Sequence, residues 1–209
     1  TLKAFVNEIY SKFGTTDNVL MFYLSEQKDW KCPIFRRPRD ITNITRDMQA
    51  MLTDVDEFYL PTTEQDYATR SRPYKRGYFV VGDTGTGKTT AVEAIAIKHN
   101  MAVYMVNLNS DGMTDSVLIN LLATVPMKSL ILFDEIDKQY AAIPNNRNIS
   151  LSNGGILSAI DGPQRLPHGC IVIMIANNIN VFDDTFRSQL IRPGSIDNTF
   201  VFNQRIQQV

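Results

Sequence analysis

Eight consecutive residues, Gly82-Asp83-Thr84-Gly85-Thr86-Gly87-Lys88-Thr89, have the types and spacing to hold a chain of phosphates. They fit G-x-x-x-x-G-K-[ST], the Walker A pattern. The glycines let the backbone curl so that successive N–H groups point at phosphate oxygens. The helix that starts here adds the positive end of its dipole. Lys88 can reach the β and γ phosphates, and the Thr89 hydroxyl can bind Mg²⁺. The cofactor-binding set read from this run is Gly82 through Thr90, with ATP and Mg²⁺ as the ligands. The context agrees: the apolar run Tyr-Phe-Val-Val leads in, and Thr-Thr-Ala-Val-Glu-Ala-Ile-Ala-Ile leads out.

A second element is Leu130-Ile131-Leu132-Phe133-Asp134-Glu135. Four apolar residues ending in two acids match a Walker B strand. A carboxylate at the C-terminal end of a parallel strand shares a sheet edge with the phosphate loop. Asp134 is then the metal-holding acid, and Glu135 the acid that polarises an attacking water. Asp137, just beyond, reads as a cap or an interface acid. A third run, Ile171-Val172-Ile173-Met174-Ile175-Ala176-Asn177-Asn178, ends a buried strand in amides, which can orient water or bind a γ phosphate. A fourth, Leu190-Ile191-Arg192-Pro193-Gly194-Ser195, puts an arginine before a turn.

These residues need a scaffold, and the hydropathy pattern describes one. Apolar stretches at Tyr78–Val81, Ala102–Leu108, Ser129–Phe133 and Ile171–Ala176 read as strands buried on both faces. Helical patterns lie between them, near Lys88–His99, Thr114–Val125 and Ser152–Ile160. Such alternation predicts an α/β fold with a central parallel sheet. Upstream, residues 1–13 read as an amphipathic helix, two strand-like stretches cover about 19–24 and 30–35, and Arg36, Arg37 and Arg39 form a small basic patch. A second amphipathic helix is predicted from Arg46 to Tyr59, with Met48, Met51, Leu52, Val55, Phe58 and Tyr59 inward; 61–73 is polar and reads as a loop or frayed turn.

Composition narrows the function classes. The chain has 209 residues, 44% hydrophobic and 21% charged, with a formal net charge of −1. A folded core is expected, and no global cationic field exists to draw in nucleic acid. Two cysteines, Cys32 and Cys170, are too few for a disulfide scaffold or a metal cluster and read as small buried thiols. No apolar run is long enough to cross a bilayer.

Taken in order, Gly-Asp-Thr-Gly-Thr-Gly-Lys-Thr, Leu-Phe-Asp-Glu-Ile-Asp, Ile-Leu-Ser-Ala-Ile-Asp-Gly (156–162) and Leu-Ile-Arg-Pro-Gly (190–194) resemble the AAA ATPases. Pro73-Tyr74-Lys75-Arg76-Gly77-Tyr78 is similar to the BCS-type branch, the mitochondrial respiratory-complex-III assembly chaperones and their relatives. Val106-Asn107-Leu108-Asn109-Ser110 and the stretch from Arg37 to Phe58 resemble that branch as well. The resemblance implies a P-loop large subdomain over 41–209, preceded by a partial BCS-type α+β segment over 1–40, with the helical lid absent or truncated. It implies a ring of identical subunits coupling ATP hydrolysis to protein remodelling or translocation, and a mitochondrial inner-membrane setting for a full-length protein of that branch.

Residue by residue, it implies that Arg192 is an arginine finger reaching a neighbour's γ phosphate. Ser195 stands where the family has a second arginine. Asn178 is the best match to the family's sensor asparagine, with Asn177 and Asn180 as alternatives. Asp83-Thr84 replaces the family's usual Pro-Pro at free positions of the loop. Two rival functions stay open on the residues: a DNA-linked P-loop ATPase of helicase- or clamp-loader type, and a nucleotide-gated assembly subunit with little turnover.

Overall fold

The protein is described by a computed structural model covering residues 20–26, 29–31, 33–36 and 44–203. The helix expected over 1–13, Cys32 and the side chains of Arg36, Arg37 and Arg39 lie outside the described residues.

The element order is β1 (Leu20–Glu26), β2 (Asp29–Trp30), β3 (Ile34–Arg36), α1 (Arg46–Phe58), α2 (Pro61–Thr69), β4 (Lys75–Gly82), α3 (Lys88–Lys98), β5 (Val103–Met105), α4 (Asp115–Ala123), β6 (Leu130–Phe133), α5 (Ile136–Ala142), α6 (Asn153–Asp161), β7 (Cys170–Ala176), α7 (Asp184–Leu190) and β8 (Asn198–Phe202). The strands form one sheet in the order β2-β1-β5-β6-β7-β4-β8, with β3 also paired to β1. The pairs from β1 through β8 along this path are parallel; β2 and β3 run antiparallel to β1.

Parallel strands must be covered on both faces, and the side-chain period of two divides them accordingly. In β7, Cys170, Val172, Met174 and Ala176 enter one core together with α4, α6 and α7. Ile171, Ile173 and Ile175 enter the other, against α1 and α3. The same split places Ile131 and Phe133 on one side of β6, and Leu130 and Leu132 on the other. Of the α1 stripe, Met48, Met51, Leu52, Val55 and Phe58 are buried, while Tyr59 is the C-terminal cap and half-buried; Thr45 caps the other end by accepting from the Met48 amide at 3.2 Å.

Three features differ from the sequence expectation. The stretch from 61 is helix α2, not a loop; Pro61 begins it at a position that needs no amide donor, and it buries none of its residues. Without an apolar face it leaves no 3.6-residue pattern to detect. The strand expected over 102–108 shortens to Val103–Met105. Finally, β1 does not stand apart from the ATPase-like part. Phe22 pairs with Val103 and Leu24 with Met105, and Trp30 donates from its indole to the Leu121 carbonyl at 3.2 Å. The division at residue 40 therefore crosses one continuous sheet.

The β4–β8 pairing depends on a missing side chain. A Cβ on Gly77 would lie 2.3 Å from the Ser195 carbonyl oxygen and 2.8 Å from the Ile196 Cα. Both neighbours are backbone and cannot step aside. Gly77→Ala is expected to cost about 1–3 kcal/mol of unfolding free energy, the usual cost of overpacking. Gly154→Ala, in α6, meets only the Ser152 hydroxyl at 3.7 Å and is expected to be neutral or stabilising. Denaturant midpoints of the two variants check this; equal midpoints would contradict it.

Candidate functional site

The loop between β4 and α3 sits beyond the C-terminal ends of the strands. The chain leaves β4 there for β5, three strands away, while β8 lies on the opposite side of β4. Ligands bind at such switch points in open α/β sheets. Gly85 and Gly87 have φ of 85° and 90°, a conformation that side chains disfavour. A Cβ on Gly85 would touch nothing within 4 Å, so its glycine serves conformation and not space. Gly82 is the opposite case: a Cβ there would meet the Phe202 carbonyl oxygen at 2.3 Å.

Lys88 turns back over this loop. Its ammonium donates to the Gly82 carbonyl at 2.5 Å, the Asp83 carbonyl at 2.8 Å and Asn177 Oδ1 at 2.9 Å. An ammonium has three donors, and all three are used. Lys88 is 7% exposed, and burial lowers its pKa, opposed by the nearby charges of Asp134, Asp137, Asp83 and Glu135. The loop over residues 84–90 bounds a cavity of about 230 Å³ shared with Asp134, Glu135 and Asn177. A larger cavity, about 760 Å³, opens on the other side of Asp134 and Glu135, toward β1 and the stretch after β5.

The acids leave β6 on a sharp turn. Glu135 adopts φ 49° and ψ 43°, left-handed and uncommon outside glycine, and caps α5. One residue thereby converts strand to helix and keeps the Glu135 side chain exposed, where it pairs with Lys138. The Glu135 amide donates to Asp134 Oδ1 at 3.0 Å. Gln139 pins the ends of β5 and β6: it donates to the Asp134 carbonyl at 2.6 Å and accepts from the Leu108 amide at 2.7 Å.

Of the three candidate asparagines, Asn177 is the one that meets Lys88. Asn178 accepts from the Asn180 amide at 2.9 Å and caps the short turn that follows. Asn180 lies 3.5 Å from the Arg187 guanidinium. The side chain that meets the loop thus belongs to Asn177, one of the two alternatives to Asn178 and the first residue after β7. Asp137, expected as a cap or interface acid, is buried at 4% exposure and accepts from the Asn177 and Asn178 amides.

Arg192 lies beyond α7 and does not line the loop's cavity. Its guanidinium is 3.4 Å from Asp161 Oδ2 and 3.3 Å from the Ser195 hydroxyl, which donates to the same Asp161 oxygen at 3.2 Å. Lys75 pairs with the other oxygen of Asp161 at 3.3 Å. Ser195 is 1% exposed and braces Arg192.

Residues 78–203 match the ATPase family associated with various cellular activities (AAA). The chain belongs to the AAA ATPase family. Membership implies nucleotide binding, and suggests ATP hydrolysis. Among similar proteins, uncharacterized protein R776 of Acanthamoeba polyphaga mimivirus is 40% identical over 169 residues, 80% of this chain and 53% of the viral protein. The probable mitochondrial chaperone BCS1-A of Dictyostelium discoideum is 33% identical over 178 residues, 78% of this chain and 41% of that protein. The human mitochondrial chaperone BCS1 is 27% identical over 186 residues, 83% and 42%. The chain thus spans about half or less of the length of these relatives. Among the described residues, no helix is long and apolar enough to cross a membrane.

Within this AAA site, the residues that sequence reasoning undervalued are Asp137, Gln139 and Asp161. Each acts on backbone or on a partner distant in sequence, so no local motif marks its role. Asp134 carries the electrostatic cost of the site. Burial raises its pKa, against the Glu135 amide and the Lys88 and Lys138 charges that lower it. Its folded pKa thus lies above the unfolded value, and stability falls as pH rises through that interval. Asp134→Asn should then give the ligand-free protein a thermal midpoint slightly above the parent's, by a few degrees at most, because solvent screens part of the charge. The gain should shrink toward acid pH, as the parent's own carboxyl takes up its proton. A clearly lowered midpoint at pH 7 would contradict this account.

Proposed function

We propose that this chain is the ATP-hydrolysing part of an AAA ATPase that works as a ring of identical subunits. The observation that carries the reading is the three-acceptor cage around Lys88, set beside Asp134 and Glu135 at the switch point of the sheet. A buried ammonium held by neutral oxygens is ready to exchange them for charged phosphate oxygens, which bind it more strongly.

Each residue has a role at that edge. The loop amides from Gly82 to Thr90 and Lys88 hold the phosphates. Thr89 and Asp134 would hold Mg²⁺. Two oxygen donors from the chain suit an ion that keeps phosphate and water among its ligands. When bound, Mg²⁺ supplies positive charge to the β and γ phosphate oxygens. Glu135, exposed and lining the same cavity, polarises the attacking water, and Asn177 orients it or contacts the γ phosphate. Lys88 and an incoming arginine stabilise charge that develops on the transferred group. Arg192 supplies that arginine from a neighbouring subunit, since it lies outside its own chain's cavity. Assembly would draw it from Asp161 and Ser195. The relatives named as chaperones support coupling of this cycle to protein remodelling, with a mitochondrial setting.

The ion pair of Arg192 with Asp161 favours one alternative, a nucleotide-gated assembly subunit in which the finger stays with Asp161 and turnover is low. Subunit mixing separates the two. Lys88→Ala and Arg192→Ala proteins should each lose more than about tenfold in ATP turnover, as expected for removing a transition-state cation. Mixed together, they should regain a measurable fraction of parental activity, because an intact loop can then face an intact finger. Mixtures no more active than the separate variants would leave Arg192 without a role in trans.

A further inference from the structure

We infer that Asp137 is a positioning residue that aims Asn177 at Lys88. The inference deepens the reading above and rests on it. The β7 ladder ends with Ala176, which pairs with Val81. The next two amides lie beyond it and need other acceptors. Both turn to one oxygen: Asn177 and Asn178 donate to Asp137 Oδ2 at 3.1 and 3.0 Å.

Asp137 comes from the first turn of α5, directly after the Walker B acids, so its position is tied to theirs. Its second oxygen, Oδ1, is buried and makes no hydrogen bond within the protein. A carboxylate this deep is costly, and its hydrogen bonding is spent on two amides alone. Two consecutive amides held by one oxygen fix the peptide plane between them. That plane sets the direction in which the Asn177 side chain leaves the backbone. The direction taken brings Asn177 Oδ1 to 2.9 Å from Lys88 Nζ. The next residue, one step round, points away and caps the following turn. The path runs from the helix behind Glu135, through the tip of β7, to the phosphate loop. Asp137 does not line the cavity beside the phosphate loop, and acts through Asn177.

The test is a double-mutant cycle in the full chain, read as kcat for ATP hydrolysis, Kd for ATP, and amide hydrogen exchange at Asn177 and Asn178. Asp137→Ala should lower kcat about 10- to 100-fold, the range for supporting residues, with Kd within about threefold of the parent. The double variant Asp137→Ala/Asn177→Ala should match Asn177→Ala within about twofold, since the first residue has nothing left to aim. Asp137→Asn keeps an acceptor and should recover most of the loss. Losses that multiply in the double variant overturn the inference. So does an Asp137→Asn protein as slow as Asp137→Ala, which would make charge the operative feature. Should Asp137→Ala not fold, Asp137→Asn decides alone: a kcat within about tenfold of the parent supports the inference, and a larger loss overturns it. Hydrogen exchange keeps the two readings apart. A parent that does not hydrolyse ATP overturns the proposed function. In that case, faster Asn177 and Asn178 exchange in the Asp137→Ala or Asp137→Asn protein still supports the clamp, and unchanged exchange overturns it.

Discussion

The structure is organised around one buried ammonium. Lys88 sits at the first position of α3, with an exposure of 7%, and spends all three of its donors on two loop carbonyls and one asparagine. A buried ammonium is costly unless its donors find acceptors, so the loop must keep its carbonyls turned inward and β7 must deliver an amide oxygen at the right height. The left-handed glycines at 85 and 87 meet the first demand, and Asp137 meets the second. Around the ammonium stand four carboxylates, of which Asp134 has its own pKa raised by burial. The site is therefore a place where charges are held under moderate strain, as sites built to bind a charged ligand are.

Sheet topology explains why these groups converge. The two hydrophobic cores on either face lock β4, β6 and β7 side by side, so that the phosphate loop, the paired acids and the terminal amide emerge on one edge. The close approach of Ser195 and Ile196 to Gly77, and of β8 to Gly82, fixes the outer side of β4. It also anchors the segment that carries Arg192. The residues just after Arg192 are tied to the sheet: the Asp197 carboxylate accepts from the amides of Gly77 and Gly194, at 2.9 and 3.0 Å. The arginine thus has a fixed base and an exposed tip, with 55% of its side chain accessible.

Much of this was legible in the residues. The loop and the acid pair were readable because phosphate chemistry restricts the types and spacing that can serve it, and the strands because burial on two faces leaves unbroken apolar runs. What was not readable has physical reasons. The choice between Asn177 and Asn178 turns on where the β7 ladder stops, and a one-residue shift reverses the direction of a side chain. Helix α2 buries no residue, so it has no period. The pairing of β1 with β5 joins Phe22 to Val103, a contact that no local pattern encodes. The same holds for Arg192 and Asp161, 31 residues apart.

As part of an AAA ATPase, the loop that cages Lys88 should be a receptor for a phosphate chain. Residue-resolved hydrogen exchange at the amides of residues 84–90, with and without saturating ATP and Mg²⁺, tests it most directly. If the account holds, ATP slows exchange across Gly85 to Thr89, and adenosine at the same concentration does not, because the loop reads phosphate and not base. Exchange in this loop that is the same with ATP as without it, or that adenosine slows equally, would contradict it.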